Sequence, residues 1–145
     1  MILFADTSAL IKLYIEEVGS AVMAERVRRA RIAASVLAYA EGYATFARRL
    51  RESLLTAEEH DGVVERFERD WQGVIHVPLR PALVGLVPRL VKDHPLRGAD
   101  AVHLASALAL RDAGLDLTFA VADGRLLEAA VAEGLEAFDP EAGSG

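Results

Sequence analysis

The 145-residue sequence contains no cysteine, which excludes disulfide bonds and thiolate metal sites. Lysine is also scarce: apart from Lys12 and Lys92, the other 14 of the 16 basic residues are arginine. Acidic residues outnumber basic ones, and the net charge of −6 argues against a protein that coats nucleic acid with an excess of positive charge.

Long hydrophobic runs are missing as well. Stretches without Asp, Glu, Lys or Arg, such as residues 101–110, are far shorter than the roughly 20 residues that cross a bilayer. The first residues have no basic leader, so we expect no signal peptide. A cytoplasmic protein with no membrane partner is therefore expected.

The remaining composition is that of an ordinary globular protein, with 52% hydrophobic and 26% charged residues. The chain length suits one domain, and no linker or repeat divides the chain. We expect a single domain over residues 1–139 and a loose C-terminal tail over residues 140–145.

The chain opens with five apolar residues that run without alternation into Asp6. Such a run is typical of a strand that is buried on both faces, as in a parallel sheet. Thr7 and Ser8 can then cap the following helix. Ligand sites in open α/β sheets lie beyond the carboxyl ends of the strands, so Asp6 is placed where chemistry usually occurs.

Similar apolar segments alternate with helical patterns along the rest of the chain. Thr56 and Glu59 form a capping-box pattern, Pro81 suits the start of a helix, and Pro88 should kink or shorten that helix. The alternation predicts one α/β domain with a mostly parallel sheet. The predicted strands cover about residues 1–5, 32–34, 74–79, 117–122 and 135–138, and the helices about residues 9–14, 20–30, 36–50, 56–71, 81–91, 99–113 and 125–133.

Four acids differ from the others by their context. Asp6 and Asp123 follow apolar strands, Glu41 lies beside the apolar stripe of a helix, and Asp100 opens an otherwise apolar helix. Taken singly, each aspartate is explained as a helix cap, and Glu41 as a half-exposed helix residue. Taken together, four carboxylates brought close by the fold would repel one another unless a cation lay among them. Mg²⁺ suits such a site, because it binds oxygen ligands and can activate water for attack on a phosphodiester.

The sequence segments that contain these acids resemble those of a known protein family. The segments FADTSALIKLY (4–14), LRGADAVHLASA (96–107) and ADGRLLEAA (122–130), with Glu41 inside a helix, are similar to PIN-domain ribonucleases of the VapC toxin type. The similarity spans essentially the whole chain. It implies a three-layer α/β/α PIN-like domain and an endoribonuclease that uses Mg²⁺, for which Mn²⁺ can substitute. It also implies an RNA substrate, a homodimer and a VapB-like antitoxin that blocks the site.

The resemblance assigns roles to individual residues. Asp6, Glu41, Asp100 and Asp123 match the family's acidic quartet. Asp6 and Asp100 are expected to be the main metal ligands, while Glu41 and Asp123 hold a second ion or orient metal-bound water. Thr7 or Ser8 is expected to bond a metal-bound water or a substrate phosphate.

One position departs from the family pattern, and one further residue lies close to the acids in sequence. Many family members have Ser or Thr two residues before the last acid, whereas this chain has Val121, which makes Asp123 the least secure of the four assignments. His103 follows Asp100 by one helical turn, and a structural role for it is favoured because carboxylates and water suffice for Mg²⁺. The alternative function is a catalytically silent PIN-like module that binds RNA or a protein partner.

Overall fold

A single five-stranded parallel sheet forms the centre of the computed structural model, which describes residues 1–142. The strands are β1 (Ile2–Ala5), β2 (Arg31–Ser35), β3 (Ile75–Val77), β4 (Leu117–Ala120) and β5 (Glu136–Phe138). The helices are α1 (Thr7–Ile11), α2 (Ser20–Val27), α3 (Leu37–Arg51), α4 (Ala57–Trp71), α5 (Pro81–Val84), α6 (Val87–Asp93), α7 (Gly98–Asp112) and α8 (Gly124–Ala132). The strand order is β3-β2-β1-β4-β5, so β1 lies in the middle with β2 and β4 beside it.

The two faces of the sheet are covered by separate helical layers. Leu3 and Ala5 of β1 pack into a core with residues of α1 to α4, whereas Phe4 packs into a second core with residues of α5 to α8. Phe4 also meets Phe119 of β4 edge to face, with ring centroids 5.1 Å apart. Because both faces are buried, the first strand is apolar without alternation. The predicted α/β/α sandwich with a parallel sheet is confirmed.

Local sequence signals position several of these helices as predicted. Thr56 and Glu59 form a reciprocal capping box at the start of α4, with bonds of 3.1 and 2.9 Å. Pro81 lies in the first turn of α5. Pro88 lies in the first turn of α6, so the single predicted helix is divided into two, because proline cannot donate a helical hydrogen bond.

The end of the described chain differs from the predicted loose tail. Pro140 is fully buried, and its carbonyl oxygen lies close to Gly19, whose φ of +93° suits glycine. Glu141 pairs with Lys12 at 3.3 Å. The prediction is therefore wrong for the first residues of the tail, because these contacts hold them against the domain. Residues 143–145 of the predicted tail lie outside the described residues.

No helix within residues 1–142 is both long enough and apolar enough to span a membrane.

Candidate active site

The predicted acids lie beyond the carboxyl ends of the central strands. Asp6 follows β1 directly, and Asp123 follows β4, which lies beside β1. Strands β2 and β3 lie on one side of β1 and strands β4 and β5 on the other, so the order of the strands reverses between β1 and β4. Asp100 lies in the first turn of α7, and Glu41 lies near the start of α3. The carboxyl edge at such a reversal is the usual ligand-binding place in an open α/β sheet.

Three of the four acids share one cavity. Asp6, Glu41 and Asp100 line a cavity of about 460 Å³, and His103 and Arg97 lie in its wall. This grouping comes from residues that are far apart in sequence. Local patterns alone therefore could not establish it.

Asp123 lies next to this group rather than within it. It lines a neighbouring cavity of about 630 Å³ that shares Arg97 and Asp100 with the first. Within residues 1–142, no three His, Asp or Glu side chains lie close enough together to hold one metal ion. Val121, where many family members have Ser or Thr, is fully buried in the core.

Asp6 is a buried carboxylate, with 5% of its surface exposed. Of the two capping predictions for α1, the one for Asp6 is confirmed and the one for Thr7 and Ser8 is wrong: Oδ1 of Asp6 accepts a 3.0 Å hydrogen bond from the Ala9 amide. The Ser8 hydroxyl donates to Oδ1 at 2.8 Å and to Oδ2 at 3.0 Å. Burial nevertheless raises the pKa of Asp6 to about 6, and the charge of Asp100 adds to the increase.

Glu41 is held by two side chains from different elements. The Thr7 hydroxyl donates to its Oε1 at 2.7 Å, and Nε2 of His103 lies 2.7 Å from the same oxygen. The hydrogen bond from His103 is the main reason why the pKa of Glu41 is below its usual range. Nε2 is therefore assigned as the donor, and the buried Nδ1 of His103 has no partner among the described residues.

His103, for which the sequence favoured a structural role, lines the same cavity as three of the acids. It is 3% exposed, as a structural histidine would be, yet it also contacts Glu41 and lies 3.3 Å from Thr7. Its position three residues after Asp100 places both side chains on the same face of α7. That spacing was the available signal.

Asp100 is paired with Arg97. The main-chain N–H and the side-chain Nε of Arg97 both donate to Oδ2 of Asp100, each at 3.2 Å. Asp100, followed by Asp123 and Glu41, raises the pKa of Arg97 above its usual range. The arginine therefore faces three of the four acids.

Basic side chains also line the first cavity. Arg48 and Arg49 come from the last turn of α3, and Lys12 comes from the end of α1. The buried Lys12 is 2.9 Å from Glu17, which also pairs with Arg49 at 3.1 Å. The lining thus combines acidic and basic side chains.

The donor set is suitable for a hard divalent cation. Helix capping occupies only Oδ2 of Asp100 and Oδ1 of Asp123, and the second oxygen of each has no hydrogen-bond partner in the described part of the chain. Asp6 is a buried carboxylate with no arginine or lysine paired to it within residues 1–142. Mg²⁺ needs only one or two protein carboxylates and completes its shell with water, so these residues fit the ion even though no three of them converge.

No family model matches the chain. Two curated relatives, Ribonuclease VapC45 and Ribonuclease VapC49 of Mycobacterium tuberculosis, are each 38% identical to it over 134 residues, which is 92% of this chain and 92% of each relative.

Solved structures share the fold at lower identity. VapBC2 from Rickettsia felis, bound to a DNA fragment from its promoter, has a TM-score of 0.67 at 12% identity and covers 96% of this chain and 98% of that one. Mycobacterium tuberculosis VapC20, a sarcin-ricin loop cleaving toxin, has a TM-score of 0.65 at 16% identity and covers 92% and 95%. FitAcB from Neisseria gonorrhoeae has a TM-score of 0.64 at 20% identity and covers 97% and 98%.

Proposed function

The chain belongs to the VapC family of ribonucleases, and we propose that it is a toxin endoribonuclease that uses Mg²⁺ or Mn²⁺ to hydrolyse RNA at the cavity of Asp6, Glu41 and Asp100. The observation that carries the proposal is the meeting of these three acids in one cavity at the carboxyl edge of the sheet. The most buried of them, Asp6, has a raised pKa, which is the electrostatic condition that a bound cation relieves.

Asp6 and Asp100 would hold the ion, and Glu41 and Asp123 would hold a second ion or orient metal-bound water. When bound, a divalent ion of this kind lowers the pKa of water and stabilises the charge that develops on a phosphodiester. The four residues are therefore proposed as the catalytic group.

The surrounding residues orient these acids. Thr7 and His103 hold one oxygen of Glu41, and Ser8 with the Ala9 amide fixes Asp6. Such bonds keep a carboxylate in place before the substrate binds, which lowers the cost of organising the site during the reaction. The proposed auxiliary role of Thr7 and Ser8 is thus orientation of the acids, and the contact with metal-bound water or phosphate expected from the sequence stays a prediction.

Basic side chains in the cavity support RNA as the substrate class. Arg48, Arg49 and Lys12 line the same cavity as the acids. The overall negative charge does not oppose this, because phosphate contacts depend on where the cations lie. The backbone of the RNA would lie near these cations while the acids face the scissile phosphate.

A protein partner is also part of the proposal. The chain is an antitoxin-inhibited toxin, as in the VapBC assemblies among its structural neighbours. We further propose a homodimer of the chain. The other function considered, a silent module that binds without cutting, has no support among the relatives.

Cleavage of end-labelled total RNA by the purified chain tests the proposal. Wild type should produce discrete fragments with Mn²⁺ or Mg²⁺ and none with EDTA, and Asp6→Asn and Asp100→Asn should each reduce the rate by at least about a hundredfold. Asp112→Asn is the matched control, because Asp112 lies exposed at the other end of α7 and pairs only with Arg111 at 3.2 Å. Equal cleavage by wild type and the Asp6 and Asp100 variants would contradict the proposal.

A further inference from the structure

Arg97 makes an unusual ion pair. Among residues 1–142 it is the only arginine or lysine whose side chain is paired with one of the four acids. The bond uses Nε and not the two terminal nitrogens of the guanidinium, and the side chain is 81% exposed. The ion pair thus uses the Nε edge of the guanidinium, and the end that carries the two terminal nitrogens lies in solvent.

The terminal nitrogens of Arg97 are available for a ligand. Neither of them has a hydrogen-bond partner in the described part of the chain. The side chain also lies in the walls of both acid-lined cavities, next to Asp100 in each. A planar guanidinium with two unused donors matches the geometry of a phosphate group.

Two other cations of the first cavity are paired with acids outside the proposed metal-binding group. Arg49 pairs with Glu17 at 3.1 Å, and Lys12 is buried against Glu17 and Glu141. These ion pairs hold both side chains in the cavity wall. Arg48 of the same lining is exposed on α3, whereas Arg97 is paired directly with Asp100. Arg97 therefore projects into solvent beside the acids, where an RNA phosphate would approach.

We propose that Arg97 binds a phosphate of the RNA substrate next to the acids, and that its charge weakens metal binding at Asp100. The inference rests on the proposed function, because it requires RNA and a divalent ion at this cavity. The positive charge of Arg97 should strengthen RNA binding, because it attracts the phosphate. The same charge should weaken metal binding, because it repels a cation from the Asp100 carboxylate. An arginine with a purely structural role would not change the affinities for RNA and for the metal ion in opposite directions.

The test compares Arg97→Ala and Arg97→Lys with Arg28→Ala as control. Arg28 is exposed at the C-terminal end of α2 and, within residues 1–142, pairs only with Glu25 at 3.7 Å, so its removal changes the net charge equally but far from the acids. Arg97→Ala keeps the main-chain N–H that donates to Asp100, so the start of α7 is preserved. Melting curves in EDTA check that each variant folds.

Two binding measurements, neither of which needs cleavage, provide the readouts. A short fluorescein-labelled single-stranded RNA of mixed sequence is titrated in EDTA over a salt series, and free Mn²⁺ is followed by electron paramagnetic resonance without RNA. Arg97→Ala should weaken RNA binding roughly tenfold and reduce the slope of log affinity against log salt by about 0.7, the value for one lost phosphate contact on a single strand. It should tighten Mn²⁺ binding about threefold.

The other variants separate charge from geometry. Arg97→Lys should keep the salt slope and the wild-type Mn²⁺ affinity but bind RNA more weakly, because an ammonium group lacks the fork. Arg28→Ala should leave both measurements unchanged. An Arg97→Ala variant that loses affinity for both ligands, or that matches Arg28→Ala, would overturn the inference while leaving the proposed function intact. A wild-type chain that binds neither Mn²⁺ nor RNA would overturn both.

Discussion

Burial disfavours the charged form of the Asp6 carboxyl. It is buried, it has no cationic side chain paired with it among the described residues, and burial raises its pKa from 3.8 to about 6. Without a metal ion the carboxyl of Asp6 therefore keeps its proton to a higher pH in the folded chain than in the unfolded chain. The stabilisation from this protonation is complete below the unfolded pKa and is lost as the pH rises through the folded pKa.

Replacing Asp6 with Asn should therefore stabilise the metal-free protein at neutral pH. Asn keeps the helix-capping oxygen and removes the charge, so the advantage of Asp6→Asn should grow by roughly 1–2 kcal/mol between about pH 5 and pH 7.5. Urea unfolding in EDTA at the two pH values measures it. A difference in unfolding free energy that does not change with pH, or a variant less stable than wild type at both, would show that Asp6 is not the strained charge described above.

At this scale the sequence predicted positions better than contacts. Asp6 and Asp123 could be selected because each follows an apolar strand, and Asp100 because it opens an apolar helix. The bond between His103 and Glu41 joins residues 62 positions apart, so no local pattern contains it. The pairing of Arg97 with Asp100 spans only three residues, but its proximity to Asp123 depends on where β4 ends.

At the scale of elements, Gly42 allows α3 to approach α4 closely. A Cβ atom on Gly42 would lie 2.9 Å from the ring of Phe67, which is 1% exposed. That ring packs against the rings of Tyr14, Tyr43 and Phe46, so moving it away would disturb these contacts. Gly42 follows Glu41 in α3, so this packing also bears on the position of a site residue.

A pair of glycine substitutions tests the contact. Gly42→Ala should destabilise the protein by roughly 1 kcal/mol, because a clash of about 1–3 kcal/mol exceeds the gain in helix propensity. Gly62→Ala, inside α4 with nothing within 4 Å of the added Cβ, should instead stabilise it by roughly 0.5–1 kcal/mol. Thermal melting of both variants measures the two changes in stability. Stabilisation by Gly42→Ala would mean that α3 and α4 are not packed this closely.

Elements were largely predictable because their signals are local. The capping box of Thr56 and the prolines at positions 81 and 88 act within one or two turns, and the structure follows them. Strand lengths were overestimated: β3 covers only Ile75–Val77 and β4 ends at Ala120. The extent of pairing depends on the neighbouring strand, which the sequence of one segment does not specify.

At the scale of the whole molecule, some apolar side chains remain uncovered. Leu79, Val84 and Val91 are 43%, 44% and 40% exposed, and they lie after β3 and on α5 and α6. Exposed apolar residues of this kind are often buried between protein subunits. They support the proposed homodimer, with a second copy of the chain as the partner of this region.

Light scattering at micromolar concentrations should therefore give twice the 15.6 kDa mass of the chain. Val84→Asp should shift the mass towards that of one chain, because it places a charge in the proposed interface. Leu54→Asp is the matched control: Leu54 is 61% exposed after α3, outside this region, and its substitution should leave the mass unchanged. A wild-type chain that stays monomeric throughout would contradict the dimer.

The proposed ribonuclease activity requires that the acids at the carboxyl edge of the sheet hold a divalent ion. Anomalous diffraction from crystals grown with Mn²⁺ measures whether they do. A manganese peak should lie about 2.1 Å from carboxylate oxygens of Asp6 and Asp100, and it should be lost in Asp100→Asn crystals. Manganese bound only elsewhere, or no peak in the cavity at saturating Mn²⁺, would show that these acids are not the metal site.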